Sequence, residues 1–283
     1  MTQDFTLTLS CSQRPGIVHA VSSFLFARHF DIAEHQQFDD IRSQAFFLRT
    51  KFVCTGDAVD VAQLTGQFDS VAAEFGMTFR FDSTERPRVV VMVSKMGHCL
   101  NDLIFRWRAG TLGGELVAVV SNHEVLRPMA EAAHLPFVHV AVTPTTKPQA
   151  EAELLALVEE LNADLVVLAR YMQVLSDEAC RALRGRAINI HHSFLPGFKG
   201  AKPYHQAFDR GVKLVGATAH YVTPDLDEGP IIEQEVIRID HSFDPARLAT
   251  VGQDAEALAL SRAVRWHCEN RVLLHGHRTV VFS

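Results

Sequence analysis

Residues 165–191 read LVVLARYMQVLSDEACRALRGRAINIH, and they decide the fold. Leu165-Val166-Val167-Leu168 and Ala187-Ile188-Asn189-Ile190-His191 are apolar runs of strand length, and 177–183 between them has helical spacing. Strand, helix, strand in that order is the unit of a parallel sheet covered on both faces. The alternation extends outward in both directions. Strands fit 89–94, 115–121, 137–140 and 215–222; helix-like segments fit 101–108, 124–133 and 149–162. In such sheets ligands bind beyond the carboxyl ends of the strands, where the strand order reverses.

The first eighty or so residues follow another rhythm. Phe5, Leu7, Leu9 and Cys11 alternate with polar residues, as in a half-buried strand. Arg14-Pro15-Gly16 is a turn signal, and Ile17, Val18, Val21, Phe24 and Leu25 then recur at helical spacing. Strands fit 31–38 and 45–53, a helix over 59–75 ends at Gly76, and 77–81 is a fourth strand. The order βαββαβ is that of a ferredoxin-like split-βαβ domain. A polar stretch ending at Pro87 places the boundary, giving a first domain over 1–83, a linker over 84–87 and a second domain over 88–283.

Composition narrows the function classes. The chain has 283 residues, 47% of them hydrophobic and 21% charged, which excludes disorder as a whole. The formal charge is −6 with no like-charge block, so a nucleic-acid partner is not expected. Apolar runs such as Val89-Val90-Val91-Met92-Val93 are strand-sized, so no membrane span is expected. The opening Met1-Thr2-Gln3-Asp4 lacks the pattern of a secretory signal. Five dispersed cysteines without CxxC spacing read as reduced thiols. The expectation is a soluble cytoplasmic enzyme.

The chemistry concentrates in 187–234. Asn189 and His191, two apart on a strand, project from one face at its carboxyl end. After the strand over 215–222 comes Thr223-Pro224-Asp225-Leu226-Asp227-Glu228-Gly229-Pro230, an acidic loop pinned by two prolines and a glycine. An amide donor, an imidazole and a carboxylate together can bind an oxyanion, move a proton and fix a tautomer. Spacing alone also fits a satisfied polar strand end beside a solvated acidic turn. Fifteen histidines raise a metal centre, but His191 and His192 are neighbours on a strand and should face opposite ways. His205 and His220 are isolated, with no HExxH or cysteine pair beside them, so no metal is expected. Cys99 reads as a small buried hydrophobe.

Asn189-Ile190-His191-His192-Ser193-Phe194-Leu195-Pro196, Lys199-Gly200, Gly216-Ala217-Thr218-Ala219-His220-Tyr221-Val222 and Leu226-Asp227-Glu228-Gly229-Pro230 resemble the core of the folate-dependent formyltransferase family. The double histidine and Lys202-Pro203-Tyr204-His205-Gln206-Ala207 resemble its hydrolytic branch. The N-terminal third resembles an ACT domain, with Arg14-Pro15-Gly16-Ile17 at the first strand–helix turn. The implied fold is α/β: a ferredoxin-like βαββαβ (ACT) domain, then a Rossmann-like, mostly parallel sheet covered by helices.

The implied activity is hydrolysis of 10-formyltetrahydrofolate to formate and tetrahydrofolate, with formate feeding purine synthesis. By resemblance Asn189 bonds the formyl oxygen, His191 stabilises the tetrahedral intermediate and transfers protons, and Asp227 pairs with His191 and handles the attacking water. Met172, Val174 and Leu175 would flank the pterin, together with the acidic loop at Asp225 and Glu228. Many relatives have Arg where this chain has Gln173. His192 would position water or serve structure, His220 would orient the site, and Lys199-Gly200 would approach the folate tail. Arg14, Pro15, Gly16 and Ile17 are the candidate contacts for an amino-acid effector, the free N–H groups of a helix start meeting its carboxylate. Self-association into a homo-oligomer is expected, and no cofactor is.

Two other readings stand beside this one. A formyltransferase to a small amine, of the glycinamide ribonucleotide type, would need the Gly-rich phosphate loop of those relatives. Ser94-Lys95-Met96-Gly97-His98-Cys99-Leu100 at that position has one glycine and larger side chains. An RNA-facing extra domain would need more chain than the 56 residues after Asp227 (283 − 227), which read as mostly helical over 254–274. A non-catalytic ACT-based sensor of amino acids and folate would not need Asn189, His191 and Asp227 intact. Folate absorbance over time separates the three: hydrolysis needs no acceptor, transfer needs one, and a sensor shows neither.

Overall fold

The computed structural model describes residues 3–54, 59–83, 85–195 and 203–283. The chain forms two units. One holds Met1–Glu85 with Asn270–His275 and Val280–Ser283, the other Arg86–Glu269 with Gly276–Thr279.

The first unit runs β1 (Gln3–Ser12), α1 (Ile17–Phe26), β2 (Phe30–Asp40), β3 (Ala45–Cys54), α2 (Val61–Phe75) and β4 (Thr78–Ser83). Its sheet has the order β2-β3-β1-β4, every neighbouring pair antiparallel. This is the split-βαβ arrangement that the alternation at Phe5, Leu7 and Leu9 calls for; those three side chains are buried with Ile17, Leu25, Phe52 and Phe68. Local signals set the helix ends. The Asp60 carboxylate accepts from the Ala62 N–H at 3.3 Å, and Gly76 ends α2 with φ +62°.

The second unit continues with β5 (Arg88–Val93), α3 (His98–Arg108), β6 (Glu115–Ser121), a 3₁₀ turn (Glu124–Leu126), α4 (Arg127–Ala132), β7 (Phe137–His139), α5 (Lys147–Glu160) and β8 (Leu165–Leu168). Then come α6 (Asp177–Ala182), β9 (Ala187–His191), α7 (Pro203–Asp209), β10 (Leu214–Tyr221), β11 (Ile231–Arg238) and α8 (Pro245–Cys268). The seven-stranded order is β11-β10-β9-β8-β5-β6-β7. Strands β5 to β9 pair in parallel, whereas β10 and β11 add antiparallel. Val89, Val90, Val91 and Val93 are wholly buried, as both-face coverage demands. From β5 the chain winds outward through β6 and β7, then returns to β8 on the other side of β5. The strand order therefore reverses at the carboxyl ends of β5 and β8, and β9 lies beside that point.

The C-terminal segment departs from the sequence reading. Instead of a helix over 254–274, α8 begins at Pro245, capped by the Asp244 carboxylate on the Arg247 N–H at 2.8 Å, and stops at Cys268. Asn270 turns the chain at φ +55°, and β12 (Val272–His275) pairs with β13 (Arg278–Val281) about Gly276 at φ +61°. Most of this hairpin belongs to the first unit, although the sequence reading assigns everything after residue 88 to the second. The physical reason lies in β3. Phe47 and Arg49 are buried there; Arg49 Nε donates to the Asn270 carbonyl at 3.0 Å and the His275 ring lies edge-on to Phe47 at 5.0 Å. All five cysteines are free thiols. Among the described residues no helix is long and apolar enough to cross a membrane.

Candidate active site

Strand β9 delivers Asn189 and His191 to the reversal point, and its pairing with β10 sets Asn189 opposite His220 and His191 opposite Thr218. The Asn189 amide and His220 Nε2 are 3.2 Å apart. His220 Nδ1 lies 2.9 Å from the Tyr221 carbonyl, which can only accept, so Nδ1 carries the ring hydrogen. Nε2 is then an acceptor, and Asn189 must present its NH₂ to it. One N–H of Asn189 is thereby used, and the other is left for a ligand. Burial pushes the His220 pKa down, which favours the neutral tautomer this geometry needs.

The acidic loop between β10 and β11 brings in Asp227. Gly229 makes this possible, because a Cβ there would meet the Tyr221 carbonyl oxygen at 1.7 Å. Asp227 itself takes a left-handed backbone at φ +58°. Its Oδ2 lies 3.2 Å from His191 Nδ1 and its Oδ1 lies 3.8 Å from His220 Nε2. The His191 hydrogen bond holds the Asp227 carboxyl below its ordinary range against the opposing effect of burial. His191 Nε2 is buried without a hydrogen-bond partner among the described residues. Amide, imidazole and carboxylate thus converge on one point.

A cavity of about 240 Å³ opens there, walled by Asn189, His191, His220 and Asp227 on one side and the 170–175 segment on the other. Of the residues expected at the ligand, Met172, Val174, Leu175, His192 and His220 line it, and so does Gln173. Met172 and Val174 are over half exposed, whereas Leu175 is buried. Asp225 and Glu228 are exposed and do not line this cavity; the Asp225 carbonyl accepts from the Thr223 hydroxyl and the Glu228 N–H, which shapes the turn. Lys199 and Gly200 lie outside the described residues. His191 and His192 do not face opposite ways as expected. His192 is past the end of β9, and the two rings come within 5.1 Å. Burial, reinforced by the charge of Arg170, lowers the His192 pKa to about 4.

Several contributors escaped the sequence reading. Ser94, just past β5, donates to Asn122 Oδ1 at 2.7 Å and accepts from the Met172 N–H at 3.0 Å, tying the cavity wall to the central strand. The Thr218 hydroxyl donates to the Ser193 carbonyl, and Gln234 bonds both Thr218 and the Leu195 carbonyl at 3.0 Å, fixing the chain beyond His191. Thr218 and Gln234 lie inside the motif-bearing stretch, but nothing in their spacing reports these bonds. A buried carboxylate, Glu256 of α8, gathers His98, Arg170 and Tyr204. Among the described residues, His98, Cys99 and Glu256 form the one group whose potential metal-ligating atoms fall within 4.8 Å of one another. Arg170 Nε lies 3.4 Å from that carboxylate and already supplies a positive charge.

In the first unit, Arg14, Pro15, Gly16 and Ile17 line a second cavity of about 460 Å³ together with Gln37 and Asp39. Gly16 starts α1 at φ +99° with no side-chain cap. The Arg14 guanidinium, however, turns to α2, donating to the Glu74 carbonyl at 2.8 Å and stacking over Phe75 at 4.2 Å.

Sheet order, reversal point and polar triad together define a formyltransferase-type catalytic unit, and residues 87–264 match the family model described as Formyl transferase. The chain is 52% identical to a formyltetrahydrofolate deformylase of Corynebacterium sp. (strain P-1) over 97% of its own length and 96% of that protein's. It is 46% identical to the Bacillus subtilis deformylase over 98% and 93%. The crystal structure of a formyltetrahydrofolate deformylase from Pseudomonas putida superposes with a TM-score of 0.93 at 51% identity, covering 99% of this chain and 100% of that one. A glycinamide ribonucleotide transformylase from Symbiobacterium toebii gives a TM-score of 0.66 at 29% identity, covering 70% of this chain and 95% of that one. The chain belongs to the formyltransferase family and, within it, to the formyltetrahydrofolate deformylases.

Proposed function

We propose that the protein hydrolyses 10-formyltetrahydrofolate to formate and tetrahydrofolate, by water and without an amine acceptor. The observation that carries this reading is the convergence of Asn189, His191 and Asp227 in the lining of one cavity, in a chain similar to deformylases along nearly its whole length.

The pterin lies against Met172, Val174 and Leu175, with the formyl group at the triad. Asn189, turned by His220, donates its free N–H to the formyl oxygen. The water oxygen attacks the formyl carbon, and negative charge grows on the oxygen that Asn189 and His191 face. Asp227 holds the His191 Nδ1–H and receives the proton shed by the water. The bond from carbon to N10 then breaks, the proton passes to N10, and formate and tetrahydrofolate leave. None of these steps calls for a metal or a cofactor. Formate so released is available to purine synthesis.

The same reading covers the first unit. An amino acid binds at residues 14–17, its carboxylate on the N–H groups that start α1 and its ammonium towards Asp39. Phe26 and Ile41, both at least 80% exposed, are surfaces for a homo-oligomer. The compartment is the cytoplasm, consistent with five free thiols. The test is formate release by purified protein with a metal chelator present and no acceptor. Catalytic release is expected; bound folate without release would overturn the reading.

A further inference from the structure

Behind His192 lies a cluster that the steps above do not use. Glu256 Oε2 is 2.8 Å from His98 Nε2 and 3.4 Å from Arg170 Nε, and Oε1 accepts from the Tyr204 hydroxyl at 2.7 Å. The four side chains come from α3, the end of β8, α7 and α8. Burial alone would raise the Glu256 carboxyl, yet the His98 bond, the Arg170 charge and the Tyr204 bond together bring it below its ordinary value. A buried charged cluster often gives no more stability than apolar packing of equal volume, so stability by itself does not account for its polarity.

The cluster is built in by sequence and backbone. Gly252, one turn before Glu256 on α8, leaves space for the phenol, since a Cβ there would meet the Tyr204 hydroxyl at 2.0 Å. Arg170 holds a left-handed backbone at φ +65°, an uncommon conformation for a side-chain-bearing residue. The position of the cluster is equally definite. Arg170 and His192 line the cavity by the triad, whereas His98, Tyr204 and Glu256 do not. The rings of His191, His192 and Tyr204 succeed one another at 5.1 and 6.5 Å, leading from the reacting centre towards the start of α3. The triad is therefore open to the cavity, and the polar cluster stands beyond it across His192.

We propose that His98, Arg170, Tyr204 and Glu256 are a specificity-determining cluster that occupies the acceptor side of the reacting centre and reserves the formyl group for water. The proposal rests on the hydrolytic reading. Bulk at this place keeps a primary amine from the formyl carbon, while a water molecule still fits against His191. Removing that bulk admits the competing reaction. The amine nitrogen attacks the formyl carbon, the bond to N10 breaks, and N10 takes the proton that the amine loses. The products are a formamide and tetrahydrofolate, in place of formate and tetrahydrofolate.

The test follows 10-formyltetrahydrofolate turnover with excess glycinamide, measuring formate and N-formylglycinamide by mass spectrometry. Wild type should give formate alone, and so should Tyr204→Phe, which keeps the ring and loses only the hydroxyl. Tyr204→Ala should raise the ratio of N-formylglycinamide to formate by about tenfold or more, the scale on which a small steric change discriminates substrates. His98→Ala, at the partly exposed edge of the cluster, provides the same reading in a milder variant if Tyr204→Ala does not fold. Folded variants that release formate with an unchanged product ratio would overturn the proposal, as would N-formylglycinamide from wild type. Failure of wild type to release any formate would instead strike the hydrolytic reading.

Discussion

At the scale of single residues, the site depends on which proton sits where. The Tyr221 carbonyl fixes the His220 tautomer, His220 fixes the amide of Asn189, and Asp227 fixes His191. Asn189→Ala removes the proposed oxyanion donor and should cost about 3 kcal/mol of transition-state stabilisation, roughly two to three orders of magnitude in kcat, with KM little changed. Steady-state kinetics of formate release check this. Protonating His220 would convert Nε2 into a donor and break its bond with Asn189. Burial lowers the His220 pKa from 6.5, so this loss should set in only below that pH. The Asp227 carboxyl is depressed from 3.8, chiefly by the His191 hydrogen bond. Its sign is that of a native-state acid: the contribution to stability is fully present above 3.8 and is lost as pH falls through the depressed folded value. Urea midpoints of wild type and Asp227→Asn should therefore differ by a constant amount near neutrality and converge in strong acid. A gap unchanged in acid would mean that the carboxylate is not held by His191.

At the scale of elements, the turn between β10 and β11 matters most, because it brings the Asp227 carboxylate to His191 on β9. Gly229→Ala must displace the Tyr221 carbonyl or the loop itself. Overpacking of this kind typically costs about 1–3 kcal/mol, and here the displaced loop carries Asp227, so kcat should fall even where circular dichroism shows a folded protein. Gly66, mid-helix in α2 with nothing within 4 Å of its Cβ position, is the control. Gly66→Ala should stabilise by up to about 1 kcal/mol and leave turnover alone. The contrast also marks what was legible in the sequence. The run 89–93 announced its strand because burial on both faces leaves no polar residue to blur the period. The convergence of Asn189, His191 and Asp227 was legible through a motif. Strand β11 was not, since Glu233, Gln234 and Glu235 follow Ile231-Ile232 and mask the alternation. The start of α8 was missed although Asp244-Pro245 is a capping signal, because Gly252 and scattered polar residues dilute the helical stripe that follows. The Tyr204–Glu256–His98 contacts join residues 52 and 158 positions apart, a separation at which local pattern carries no information.

At the scale of the whole molecule, the chain order of the two units is not their spatial inventory. The first unit contains six elements from the N-terminus, but the outer face of its sheet around β3 is closed by residues from the other end of the chain. Arg49 is almost wholly buried, donating to Glu34 at 2.7 Å and to the Asn270 carbonyl at 3.0 Å. Gln36 donates to the Ser283 carbonyl, and Asp40 and Ser43 both meet His275 Nε2. Ending the chain after Glu269 removes the Asn270 acceptor and the ring that covers Phe47, while the proposed catalytic side chains on β9 and in the acidic loop keep their partners within residues 187–230. A buried donor that loses its acceptor costs about 1–3 kcal/mol, and exposing Phe47 adds apolar surface to that. The shortened chain should therefore show faster amide hydrogen exchange through β3, at residues 45–54, than in β5, β8 and β9, whose protection should match the full-length protein. Formate release should persist in it at temperatures where the second unit stays folded. Equal exchange in β3 with and without the last fourteen residues (283 − 269) would mean that the hairpin only decorates the first unit; loss of protection in β5 and β9 as well would mean that the two units unfold as one.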